Sequence, residues 1–274
     1  GGITVDGDEM TSVKICRYFR EAREMKSIKT VVFRVNSPGG SALASEEIWR
    51  EVMLTAKKKI VVVSMGDVAA SGGYYIATPA STIFAEPTTI TGSIGVFGVI
   101  PYTGKLFEDN FGITFDRAQT NSHAILSTNR KLTEEELKTI QVEIDQIYTQ
   151  FKKRVADGRG LTQQQVEVLA RGRVWTGTDA LKHGLVDKIG GLSDAIAYAQ
   201  KKAGISDAKI KYWPEVKEDP VADLLEQLSE EESIRANLKQ TQMPKVLTDS
   251  YEKLRQLDQM TGIQMRLPVE LELH

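Results

Sequence analysis

The sequence contains a single cysteine, Cys16. One thiol excludes an intrachain disulfide and a cysteine-based zinc cluster, and it carries no information about redox compartment. Histidine is nearly as scarce: His123, His183 and His274 leave little material for a histidine-rich metal site. No run approaches the ~20 apolar residues that cross a bilayer. The longest β-like stretches, such as residues 60–65, have the length of core strands. An excess of one charge is also lacking. Lys plus Arg number 35 against 37 Asp plus Glu, a net of −2, which argues against a general nucleic-acid binder with its basic contact face. No internal repeat is visible, and no signal peptide opens the chain. It starts Gly-Gly-Ile-Thr-Val, already close to a strand and without methionine, and reads as a piece of a longer protein. What is present is ordinary globular material. The 274 residues are 41% hydrophobic and 26% charged, enough for a sizeable core and unlike a disordered composition.

The first two thirds alternate strand and helix signals. Residues 30–36 (TVVFRVN) form a β-branched run that ends in the turn sequence Ser37-Pro38-Gly39-Gly40. From Ser41 to about Lys57 the spacing predicts a helix with Leu43, Ala44, Ile48 and Val52 on one face. Residues 60–65 predict a second buried strand, followed by a turn and the small-residue segment Ala69-Ala70-Ser71-Gly72-Gly73. Further strands are expected at 81–85, 94–99 and 113–117. This alternation implies right-handed crossovers and a mostly parallel sheet. From Thr133 the pattern turns helical. Thr133 and Glu136 form a capping box, and Leu137, Ile140, Ile144, Tyr148, Phe151 and Val155 trace one stripe. A second capped helix opens at Thr162, and a short one follows Trp175-Thr176-Gly177 and closes at Gly184. Residues 213–274 read as a separate zone, with charged amphipathic helices at about 219–240 and 244–260. The tail 263–274 shows no clear period.

Two strand-to-helix corners could carry chemistry. Ser37-Pro38-Gly39-Gly40 is either a tight βα turn or a set of backbone N–H donors suited to a developing oxyanion. Ser71, between two alanines and two glycines, is either a helix-capping serine or a nucleophile projecting from a sharp turn. A third glycine-bracketed serine, Ser93 in Thr91-Gly92-Ser93-Ile94-Gly95, could orient a catalytic amine or close a turn. A serine nucleophile needs a base. His183 sits before Gly184 at a helix end, where capping explains it, and His123 lies in a polar loop without a nearby acidic partner. Lysine is the other choice, provided its pKa is lowered to about 7–8.

Five segments occur in order: Val35-Asn36-Ser37-Pro38-Gly39-Gly40-Ser41, Val63-Ser64-Met65-Gly66, Ala69-Ala70-Ser71-Gly72-Gly73-Tyr74-Tyr75, Thr91-Gly92-Ser93-Ile94-Gly95-Val96 and Val174-Trp175-Thr176-Gly177. Together they resemble the signal peptide peptidase A (protease IV) family of bacterial serine proteases over about residues 1–205. The resemblance implies a crotonase/ClpP-like α/β fold of repeated ββα units; residues 206–274, outside it, read as a mainly helical extension. It implies a Ser/Lys dyad peptidase without cofactor or metal. Ser71 matches the nucleophile, Gly40 and Gly72 the oxyanion-hole positions, and Ser93 the serine that bonds the lysine amine. Cleaved signal peptides and similar apolar peptides are the implied substrates. A homo-oligomer at the bacterial inner membrane is the implied setting, with the catalytic part on the periplasmic or extracytoplasmic side and the anchor outside this chain.

The lysine itself departs from the pattern. Single-copy members carry it after the strand that matches residues 113–117, but no lysine occurs here between Lys105 and Lys131. Long members hold two tandem copies, the amino-terminal one supplying the lysine and the carboxy-terminal one the serine. This chain therefore resembles a carboxy-terminal copy whose partner is the amino-terminal copy; a local Lys105, Lys131 or His123 base is the competing option. Two other functions share the fold: a crotonase-type acyl-CoA hydratase or isomerase, and a non-catalytic assembly copy.

Overall fold

A computed structural model describes residues 1–5, 11–121, 127–214 and 262–266. The chain divides into two compact units, one of Gly1–Asp207 with Thr261–His274 and one of Ala208–Met260. Residues 262–266, which sequence reading placed in the extension, pair as a strand with residues 39–41 and 97–99. The helices expected at 219–240 and 244–260, and His123, lie outside the described residues.

The first unit is α/β. Its elements run α1 (Ser12–Glu24), β1 (Thr30–Ser37), β2 (Gly39–Ser41), α2 (Ala42–Ala56), β3 (Ile60–Ala70), α3 (Gly72–Ala77), β4 (Thr82–Ala85), β5 (Ile90–Gly92), β6 (Phe97–Val99) and α4 (Gly104–Phe111). They continue with α5 (Glu134–Arg159), α6 (Gln163–Leu169), β7 (Val174–Thr176), α7 (Gly177–Lys182), β8 (Lys188–Ile189), α8 (Leu192–Ala203) and β9 (Gly262–Arg266). The main sheet is ordered β7-β5-β3-β4-β8, with β1 also paired to β3. The pairs β1–β3, β3–β4, β3–β5 and β4–β8 are parallel, and only β5–β7 is antiparallel.

The central strand explains this layering. Val61, Val62, Val63 and Met65 are all fully buried, as expected of a parallel strand covered on both faces. Val61, Val63 and Met65 join the large core with Ile48 and Val52 of α2 and Tyr74 and Tyr75 of α3. Val62 turns the other way, toward Phe84 and the Ala195 and Ala199 stripe of α8. α3 is buried at every residue. It is pinned by the Tyr74 hydroxyl, which donates to Leu185 O at 2.9 Å, and by Tyr75, stacked edge-on against Phe151 of α5. Arg154 of α5 completes the brace, lying 3.6 Å from the Trp49 ring centre and ion-paired with Glu46 at 2.7 Å.

Several local expectations change. β3 does not turn after Met65 but runs unbroken to Ala70, directly into Ser71. Ala44, Ile48 and Val52 are buried as the helical spacing requires, whereas Leu43 is 62% exposed. No strand forms at 113–117: Ile113 and Phe115 are exposed, and no strand among the described residues pairs with them. The 94–99 strand shrinks to β6, and β5 precedes it. The Thr133 and Thr162 capping boxes both form. The α5 stripe is buried at Phe151 and Val155 but exposed at Leu137, so only the carboxyl half of α5 is covered by the core.

Candidate functional site

β3 and β5 are parallel neighbours that end together, with Ala70 opposite Gly92. Ser71 and Ser93 are the next residues on each strand, so both serines occupy the carboxyl edge of the sheet, where α/β folds place ligands. The Ser71 N–H donates to Gly92 O at 2.8 Å and the Ser93 N–H to Arg173 O at 2.7 Å. Both residues have positive φ, 52° for Ser71 and 48° for Ser93. Side chains other than glycine tolerate that region only when the surroundings enforce it, at a cost of ~1–3 kcal/mol.

The Ser71 side chain does not cap the helix that follows it. Ser71 stands at the N-cap of α3 but makes no capping bond. Its hydroxyl is fully buried and has no hydrogen-bond partner among the described residues. An unpartnered buried hydroxyl costs ~1–3 kcal/mol, which a purely structural N-cap serine avoids by bonding the helix.

The glycine corner of β1 and β2 abuts this serine. Ser37 Oγ accepts the Gly39 N–H at 3.1 Å, turning the chain so that β2 passes the start of α3. Gly39 has φ of 101°, and a Cβ there would collide with Met265 O and lie 2.7 Å from the Gly72 nitrogen. Gly72 is equally confined: its Cβ would stand 2.6 Å from Ser45 Oγ and 2.9 Å from Met265 O. At Gly73 a Cβ would collide with Ser37 O. The glycines are thus needed for close backbone approach, and they bring the Gly39 backbone directly against that of Gly72, the residue after Ser71.

Other candidate groups are placed elsewhere. The His183 ring packs edge-on against Trp175 with centres 4.4 Å apart, and the His183 backbone N–H caps α7 by donating to Asp179 O. Lys105 and Lys131 are exposed. The Cys16 thiol is buried, and desolvation followed by the Glu51 charge pushes its pKa up to about 11, which removes it as a rival nucleophile. Sequence reading missed β9, whose residues pair with β2 and bring Met265 O against Gly39 and Gly72. Its lack of period hid it, because its partners are distant in sequence.

The profile of peptidase family S49 matches residues 53–206, a span that holds Ser71, Gly72 and Ser93. The chloroplastic serine protease SPPA of Arabidopsis thaliana is 41% identical over 207 residues, covering 75% of this chain and 30% of that protein. Protease 4 of Salmonella typhi is 41% identical over 229 residues, covering 82% of this chain and 37% of that protein. The chain therefore spans about a third of the length of these relatives. Among solved structures, a point mutant of ClpP1 from Listeria monocytogenes matches with a TM-score of 0.47 at 18% identity, covering 71% of this chain and 91% of that one. With a profile match over more than half its length, spanning the Ser71 corner, this chain belongs to peptidase family S49.

Proposed function

We propose that residues 1–205 carry the nucleophile half of a Ser/Lys serine peptidase acting on extended apolar peptides such as cleaved signal peptides. The observation behind this reading is the Ser71 hydroxyl: fully buried, unpartnered among the described residues, and held at positive φ at the end of the central strand. A neutral lysine amine takes the Oγ proton, and the resulting alkoxide attacks the peptide carbonyl. The N–H groups of Gly40 and Gly72 hold the tetrahedral oxyanion, each worth ~2.7–4 kcal/mol by analogy with other oxyanion donors. The lysine ammonium then protonates the leaving amine, and water hydrolyses the acyl ester on Ser71. Ser93 orients the lysine.

That lysine comes from an amino-terminal copy of the same protein. No described side chain bonds Ser71 Oγ, and residues 106–130 contain no lysine. A homo-oligomer at the bacterial inner membrane, active on the extracytoplasmic side, is the setting in which such a divided site would work. The unpartnered hydroxyl weighs against a non-catalytic assembly copy. It also weighs against crotonase-type acyl-CoA chemistry, which uses carboxylate bases rather than a serine.

Two assays test the proposal. In the full-length protein, Ser71→Ala abolishes peptide hydrolysis; retained turnover refutes the nucleophile. The isolated chain is nearly inert and regains turnover when the amino-terminal half is added. Vigorous hydrolysis by the chain alone would assign the base to His123, Lys105 or Lys131 instead.

A further inference from the structure

Lysine collects at one end of the main sheet. Residues 25–29, 57–59 and 200–204 hold seven lysines and no Asp, Glu, Arg, Phe, Tyr or Trp. The fold brings these segments to one edge. α1 and α2 end where β1 and β3 begin: Lys59 Nζ donates to Ala22 O and Met25 O at the end of α1, and Thr30 pairs with Ile60. α8 reaches the same edge. It starts at Gly191 beside the Glu86 side chain, just past the end of β4. Further along, the Thr82 hydroxyl at the start of β4 donates to the Tyr198 hydroxyl at 3.3 Å, and Thr82 is the neighbour of Val62 in β3. The last turn of α8, with Lys201 and Lys202, therefore lies at the amino edge. Lys26, Lys29, Lys57, Lys58, Lys201 and Lys202 are exposed. None of the six forms an ion pair among the described residues.

Helix dipoles account for only part of this cluster, because their effect fades within the last turn. Lys59 satisfies the carbonyls of α1, but Lys26, Lys29 and Lys58 stand beyond the helices. The lysines also oppose one another. The Lys59 ammonium is held below its ordinary pKa first by burial and then by the Lys29 and Lys58 charges. Self-repulsion of this kind is relieved by an anionic partner.

We propose that this amino edge is a docking surface for anionic phospholipid headgroups. The composition selects the partner. Protein interfaces are depleted in lysine and built on arginine and aromatic side chains, and nucleic acids are read by arginine forks and aromatic stacking. These segments contain neither. Lysine carries a compact, strongly hydrated charge, and clusters of this size are attracted to anionic bilayers. Met25, 36% exposed among the lysines, adds one apolar contact at the headgroup boundary. Ser71 follows the opposite end of β3, an 11-residue strand that spans roughly 35 Å, so a docked chain keeps its serine edge clear. Docking here is independent of whether Ser71 is catalytic.

Co-sedimentation of the 274-residue chain with vesicles of mixed phosphatidylglycerol and phosphatidylcholine, against phosphatidylcholine alone, tests the docking. The chain binds the anionic vesicles, and raising salt from about 0.05 M to about 0.5 M abolishes binding. Each lysine near an anionic surface contributes about fivefold in affinity, so combining Lys29→Glu, Lys57→Glu and Lys58→Glu lowers partitioning by about a hundredfold or more. Combining Arg117→Glu, Lys138→Glu and Lys153→Glu changes net charge equally on other surfaces and leaves partitioning within about threefold. Equal loss in the two triple variants overturns the proposal, as does equal binding to neutral vesicles. Tighter binding of polyglutamate or duplex DNA than of the anionic vesicles overturns it too, by assigning the patch to an acidic protein or a nucleic acid. A measurement on the unaltered chain guards against misfolding of the variants. Anionic vesicles should slow hydrogen exchange at the 25–29 and 57–59 amides, and unchanged exchange there overturns the proposal. None of these readouts involves hydrolysis, so their failure leaves the Ser71 nucleophile standing.

Discussion

Gly73→Ala separates the stability of the fold from the geometry of its site. Gly73 is the second residue of α3, and an added Cβ would collide with Ser37 O and lie 3.3 Å from Ser37 Cβ. The obstructing atom is backbone, so the end of β1 must move from α3 by roughly half an ångström or more. Overpacking of this kind costs ~1–3 kcal/mol. Replacing a helical glycine with alanine returns ~0.5–1 kcal/mol. The net loss is about 0–2.5 kcal/mol, which lowers Tm by at most ~10 °C at 2–4 °C per kcal/mol. The effect on activity is larger, because the movement carries the Ser37–Gly40 corner away from Gly72 and Ser71. Misplacing catalytic groups by ~1 Å costs on the order of a hundredfold. The control is Gly160→Ala at the end of α5, where φ is 65° and no atom lies within 4 Å of the new Cβ. Its strain of ~1–2 kcal/mol lowers Tm with little change in turnover. Thermal melts and peptide hydrolysis on both variants of the full-length protein decide the matter. Near wild-type turnover in Gly73→Ala would refute the argument that these backbones must stay in contact.

Other expectations follow from single contacts. Tyr74→Phe removes the bond to Leu185 O and costs ~1 kcal/mol, read as a Tm lowered by ~2–4 °C; an unchanged Tm contradicts it. Glu136 is held down from its ordinary 4.5 to about 2, first by the Arg130 guanidinium and then by the Thr133 N–H. A lowered folded-state pKa means this contribution is complete above pH 4.5 and is lost as pH falls toward about 2. Acid titration of hydrogen exchange at the start of α5 therefore shows a loss in the wild type that Glu136→Gln lacks; parallel profiles would contradict the assignment.

How far the sequence could be read depended on whether the deciding contacts were local. β3 and α2 were legible because a β-branched run and a helical stripe encode burial directly, although β3 extended through residues that resembled a turn. Both capping boxes were legible for the same reason, since each bond spans only three residues. Residues 113–117 misled because Ile113 and Phe115 alternate like a strand, yet both face solvent with no partner strand. β5 has only three residues, too few to show a period. At the site, the glycines marked two corners but could not distinguish a capping serine from a free hydroxyl. That distinction lies in the Ser71 dihedrals and in a bond that is not made. β9 was illegible because its partners, Gly39–Ser41 and Phe97–Val99, are far away in the chain, and pairing of that kind leaves no local pattern.

The central claim is that Ser71 is the nucleophile. Its most direct test is to treat the full-length protein with a serine-directed phosphonate and locate the adduct by peptide mass mapping. The account predicts one stoichiometric adduct on Ser71, lost in Ser71→Ala together with peptide hydrolysis. An adduct on another residue, or hydrolysis that survives Ser71→Ala, would contradict it.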